Sequence, residues 1–314
     1  MEQKQKASRR NGYIYSSDTR RGFLRLKRQG IPLPPFNLEN QLTKALSGIY
    51  EKIITSIAVD FINSVSLSGG TFRSGLLTSD SKHKDIDKAL SKADKVSSHR
   101  RESKIVNKSA VIAAIDRLKK EWNPSSQGIN MDDEVTAIVD RILKKDTDIY
   151  MKNLIEDSPQ DFVKIIQSFS LDKQQVFNDN IDNLRKLYLD DSHKRIMGEE
   201  DRLKRMFLQK LSDYAEGRSD TLDVEDIVKH MAETGVHESR FFARDQIQRF
   251  NKALTVSTYI SAGVKTVRWC TCADQRVRES HRKLNGKIFD IDNLPKELDD
   301  YNCRCCVVPV DYGE

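Results

Sequence analysis

A chain of 314 residues has room for one large domain or two ordinary ones, but with 38% hydrophobic and 32% charged side chains it is too charge-rich for a compact enzyme. Such a composition suits long helices with one wet face. No apolar run approaches the roughly 18 residues needed to cross a bilayer, and the opening MEQKQKASRRNGYIYSS has no signal-peptide stretch, so the chain reads as soluble, not secreted and without a membrane span.

The net charge of +6 is unevenly spread. Residues 1–29 carry nine basic side chains, Lys4, Lys6, Arg9, Arg10, Arg20, Arg21, Arg25, Lys27 and Arg28, against Glu2 and Asp18, a local net of +7. The rest of the chain is close to neutral. A basic arm of this kind is a candidate DNA-binding element through nonspecific electrostatics, because each phosphate contact releases counterions. The alternative is a solvated tail with no specific contact. Pro32, Pro34 and Pro35 end the arm, since they deny backbone donors and hold the chain extended.

From Gln41 onward Leu42, Leu46, Ile49, Ile53 and Ile57 recur at spacings of three and four, which predicts a helix reaching about Asn63. Between 64 and 108 the pattern dissolves into a Ser-, Lys- and Gly-rich polar insertion, read as an exposed stretch or one that orders against a partner. Helical spacing returns with Val111, Ile112, Ile115 and Leu118, stops at Trp122-Asn123-Pro124, and resumes with Val135, Ile138, Val139, Ile142 and Leu143. Ser158-Pro159-Gln160-Asp161 reads as a capping serine with proline in the first turn, before a helix through Phe162, Ile165, Ile166 and Phe169. Val176, Phe177, Ile181, Leu184, Leu187 and Tyr188 predict one further helix. Leu203, Met206, Phe207, Leu211 and Tyr214 predict another, closed by Gly217. A short helix from Asp223 to Thr234 should end at Gly235.

After about Ser257 the pattern changes. Lys265 to Trp269 alternates as a half-buried strand, Asn285-Gly286 signals a turn before Lys287-Ile288-Phe289, and Val307 to Val310 is a short apolar run. All five cysteines lie here, at 270, 272, 303, 305 and 306, in tight clusters unlike a distributed disulfide scaffold. If each Cys-x-Cys were extended, its two sulfurs would share a side. Pairing the segments would then gather Cys270, Cys272, Cys303 and Cys305 around Zn²⁺, with His281 able to replace one of them and Cys306 facing away. The bland alternative is that these are small buried hydrophobes or oxidisable thiols, with His281 satisfied on a helix face. Asp274 is expected to cap the helix that carries His281. A Cys/His-dependent or DNA-processing enzyme is the rival from another class, but no phosphate loop, carboxylate cluster or serine triad supports it.

Four ordered pieces carry a resemblance. They are Ala243-Arg244-Asp245 with Asn251; Gly263-Val264 with Val267 and Trp269; Asp274-x-Arg276-Val277-Arg278-x-x-His281-x-x-Leu284-x-Gly286-x-x-Phe289; and Asn302-Cys303-Arg304-Cys305. Together they resemble the C-terminal signature of the phage Mu F-like minor head proteins, in which Asp274, His281, Cys303 and Cys305 match and Cys270 and Cys272 depart. The resemblance implies a protein in few copies per capsid of a tailed bacteriophage. It would sit in the capsid interior or at the portal vertex of the virion, contact the portal protein and other head proteins, and act in head morphogenesis or DNA delivery, with no enzymatic activity. The expected architecture is mostly α: a basic arm (1–36), an elongated helical body (37–256) and a small C-terminal α+β Cys/His module (257–314).

Overall fold

The computed structural model describes residues 35–67, 108–122, 132–220 and 222–311. The nine basic side chains of the arm and nearly all of the polar insertion lie outside the described residues. Among those described, helices dominate: α1 (Phe36–Leu67), α2 (Lys108–Glu121), α3 (Asp132–Asp157), α4 (Gln160–Gln167), α5 (Leu171–Ala215) and α6 (Val224–Ser261) precede β1 (Thr266–Cys270), α7 (Glu279–Leu284), β2 (Ile288–Asp290) and β3 (Cys306–Pro309). No helix among the described residues is long and apolar enough to cross a membrane.

The chain divides into two compact units, one of 1–44, 136–192 and 240–314, the other of 45–135 and 193–239. In the second unit the predicted stripe of α1 is buried through Leu46, Ile49, Ile53 and Ile57 and continues to Phe61, and Val111, Ile115 and Leu118 of α2 and Leu203, Phe207 and Leu211 of α5 are buried as well. Each such side chain contributes about 1.5–3 kcal/mol by leaving water. Phe207 meets Phe61 edge-on at 5.3 Å and Trp122 at 6.3 Å, and the Trp122 indole donates to Asp60 at 3.0 Å, which anchors the end of α2. Ile112 turns outward, 47% exposed.

Gly235 does not end a helix; α6 runs through it. A Cβ at this position would come within 3.2 Å of the Tyr50 Cβ, so the glycine allows α6 to lie close on α1. Likewise the two helices expected on either side of residue 195 are one, α5, of 45 residues. Its apolar stripe thins to Ile196 between Tyr188 and Leu203 because the helix leaves one unit's core for the other's at Ser192 and His193. Gly217, with φ of +76°, does close α5: its own N–H returns to the Tyr214 carbonyl and that of Arg218 to Asp213.

The first unit packs Leu38 and Leu42 of α1, Leu143 and Tyr150 of α3, Phe162 of α4, Phe177 and Tyr188 of α5, and Phe250, Leu254 and Tyr259 of α6. Tyr259 meets Phe162 edge-on at 5.4 Å and Phe250 meets Tyr188 at 5.3 Å. Val176 and Leu187, expected in the stripe, are instead exposed. Pro159, not Ser158, precedes α4 at the capping position, and no side chain caps that helix. Within the helical core Asn251 donates to Asp146 at 2.6 Å, and burial holds the Asp146 carboxyl well above the usual carboxylate range.

The C-terminal sheet belongs to this first unit. β1 lies between β2 and β3, antiparallel to both, in the order β2-β1-β3. The alternation read from the sequence holds: Val267 and Trp269 face inward, wholly buried, and Arg268 faces out. The Asn285-Gly286 turn brings the chain back, with Gly286 at φ +80° donating its N–H to the Trp269 carbonyl.

Candidate metal centre

Three side chains from two segments converge beneath Trp269. His281 comes from α7, and Cys303 and Cys305 come from the loop that leads into β3. All three are buried, and their ligating atoms lie within 4.8 Å of one another. His281 Nδ1 is 3.4 Å from the Cys303 sulfur and 3.4 Å from that of Cys305. Its other nitrogen, Nε2, meets an Asp300 carboxylate oxygen at 2.9 Å. The Trp269 ring packs edge-on against the imidazole at 5.8 Å and helps fix its plane.

The loop is shaped by contacts that no local pattern reveals. Asn302 sits in the left-handed region at φ +52°, and its backbone N–H donates to the buried Asp245 carboxylate on α6 at 2.6 Å. The Cys303 N–H donates to the Asp300 carbonyl and that of Cys305 to the Cys303 sulfur, so the segment folds back on itself with both sulfurs toward His281. Lys252, also on α6, donates to the Leu298 carbonyl and holds the preceding turn. Arg304, between the two cysteines, pairs with a different residue: one terminal nitrogen reaches both oxygens of Asp274 at 2.8 Å.

Asp274 therefore does not cap the histidine helix, as its position suggested. Arg278 stands before α7, and Asp274 closes a turn by accepting from the Arg276 N–H at 3.0 Å while pairing with Arg304. Of the five candidate ligands the structure brings together His281, Cys303 and Cys305. Cys270 lies outside this group because it stands on β1 directly opposite Cys306 of β3; the two Cys-x-Cys segments are not paired as extended strands, since Cys303 and Cys305 precede β3. Cys272 lines the same small cavity as the three but lies outside the tight group. Asp300, which orients the histidine, went unassigned in the sequence, and Asp245, which holds the loop, was marked there only as part of the resemblance, because neither is a neighbour of His281 along the chain.

The electrostatics set the sulfurs apart. Hydrogen bonding from Cys305, helped by the nearby Lys252 and His281, holds the Cys303 thiol below its ordinary value against the opposing effect of burial. Cys305, sharing that bond and buried, is pushed the other way. Burial raises Cys270, Cys272 and Cys306. One stabilised thiolate beside a second thiol and an imidazole is a donor set that can hold a metal ion. Tetrahedral bonds of about 2.0–2.3 Å would place nitrogen and sulfur about 3.6 Å apart, close to the spacing seen here. With Nδ1 as ligand, Nε2–H would donate to Asp300, the carboxylate partner that metal-bound histidines ordinarily have.

The whole of this site falls inside a recognisable segment. Residues 214–308 match the family described as Phage Mu protein F like protein. The four pieces read from the sequence, from Ala243 to Cys305, all lie within the Mu F-like segment, which also takes in the whole of α6 and the three-stranded sheet up to Val308. An uncharacterized protein of Haemophilus influenzae is 39% identical over 87 residues, covering 26% of this chain. The chain spans about a fifth of that relative's length, the alignment covering 20% of it. No solved structure matches the chain.

Proposed function

We propose that the protein is a minor head protein of a tailed bacteriophage, acting in head morphogenesis and contacting the portal. Residues 243–305 are the ground for this reading, since they combine the Mu F-like match with the buried group of His281, Cys303 and Cys305. His281, Cys303 and Cys305 would hold zinc, which would cross-link α7 to the loop before β3 and contribute folding energy to a module whose sheet has only three short strands. The basic arm would contact packaged DNA, and the protein would reside in the virion at the portal vertex or capsid interior. It is not an enzyme in this reading. The test is biochemical: the protein should copurify with portal oligomers, and particles lacking it should form heads yet deliver DNA poorly. Deleting residues 1–29 should flatten the salt dependence of DNA binding.

One observation favours a second reading, a Cys/His-dependent enzyme carried in the head. The order carboxylate, imidazole, thiol in Asp300, His281 and Cys303 is that of a nucleophilic relay. Against it, His281 is 1% exposed and Cys303 and Cys305 3% each, and the same imidazole nitrogen serves both. Protein found free in infected cells, absent from heads, and turning over a substrate that His281→Ala abolishes with the fold intact would replace the structural reading with this one.

A further inference from the structure

We infer that Cys272 is the fourth ligand of the centre, closing it as a Cys₃His site. This rests on the reading that His281, Cys303 and Cys305 hold zinc, and it identifies what completes the tetrahedron. Three protein ligands leave a fourth position, and what fills it separates a structural ion from a catalytic one: structural sites are closed by protein, whereas catalytic sites keep water there.

The cavity bounded by the three ligands is walled largely by arginines, with Phe241, Val277 and Asn302. Guanidinium groups carry no lone pair for a metal. Cys272 is the one further soft donor in that wall, and at 1% exposed it shuts the cavity on its side. Arg304, the residue between the two cysteine ligands, lines the same cavity as Cys272, so Cys272 is already beside the segment it would join. The backbone explains why this cysteine and not its neighbour reaches the cavity. β1 ends at Cys270, whose sulfur stays with the strand, 3.8 Å from the Arg268 carbonyl, while Cys306 donates to the Cys270 carbonyl at 3.6 Å. Cys272 lies two residues beyond the end of the strand, just before a turn in which Ala273 takes the left-handed region at φ +53°.

On coordination the Cys272 and Cys305 thiols each release a proton to solvent, and the Cys272 sulfur takes up a bond to the ion. Three thiolates and one neutral imidazole around a divalent ion carry one net negative charge. Arg304 stays adjacent to offset it, keeping its grip on Asp274.

Cobalt(II) titration of the metal-free, reduced full chain tests the assignment, because the near-ultraviolet sulfur-to-cobalt absorption grows with the number of thiolates bound. Cys272→Ser should lose about one third of that band, as three thiolates become two, whereas Cys270→Ser and Cys306→Ser should keep all of it. A full band in Cys272→Ser, or a loss in either of the other two, overturns the assignment and leaves the three-ligand centre standing. Absence of any band in the native chain sinks the zinc reading itself. X-ray absorption of the zinc-loaded native chain needs no variant to fold: three sulfurs and one nitrogen are expected, and two sulfurs overturn the proposal.

Discussion

Removing the Arg304 guanidinium should cost the C-terminal module about 3–5 kcal/mol, the penalty for stranding a buried charge. The Asp274 side chain is 2% exposed and that of Arg304 7%, so neither can turn to water when its partner goes. In Arg304→Met the Asp274 carboxylate loses the nitrogen that reaches both of its oxygens at 2.8 Å, while its hydrogen bond from the Arg276 N–H remains. Adding Asp274→Asn removes the stranded charge, and the double variant should recover most of the loss. Trp269 is wholly buried in the same module and the chain has only 2 tryptophans, so a Trp122→Phe background makes its fluorescence report this module alone. With a urea dependence of about 1–3 kcal/mol per M, a loss of about 4 kcal/mol moves the midpoint by more than about 1 M. A single variant within about 1 kcal/mol of the parent would place the pair among exposed ion pairs of little worth. A double variant as unstable as the single would show that the loss comes from packing and not from the uncompensated carboxylate.

Two glycines inside helices should respond with opposite signs in thermal unfolding. Gly198→Ala meets nothing within 4 Å and should gain about 0.5–1 kcal/mol from helix propensity, whereas Gly235→Leu must displace Tyr50 and should lose about 1–3 kcal/mol; equal shifts would refute the close-packing account of Gly235. Asp146 tests the pH dependence. Its folded pKa is raised by burial above the unfolded carboxylate value, so its contribution is full below that value and is lost as pH rises through the folded one. Asp146→Asn should therefore be progressively more stable than the native chain as pH climbs above about 4; parallel urea-midpoint profiles across that range would show that Asp146 ionises as freely folded as unfolded.

Much of the architecture is local and was legible in the residues. Leu42 to Ile57 at helical spacing, Val267 and Trp269 at alternate positions, Gly217 after Tyr214, and Asn285-Gly286 each carry their own structural consequence, because periodicity and backbone preference act over a few residues. The ordered pieces from Ala243 to Cys305 likewise marked the Mu F-like segment. What the tertiary structure alone decided depends on contacts between residues far apart in the chain. Gly235 reads as a helix stop until Tyr50 arrives beside it. The thin stretch around Ile196 reads as a break until the helix is seen to pass from one core to another. Asp274 looks like a cap until Arg304 claims it from 30 residues away. In the candidate centre, composition marked out the five cysteines and His281 but could not sort them, since Cys-x-Cys leaves open which sulfurs share a side. The β1 to β3 register, which sets Cys270 opposite Cys306, and the bond from the Asn302 N–H to Asp245 made that choice, because only the folded backbone fixes where a strand ends and which way the next side chain points.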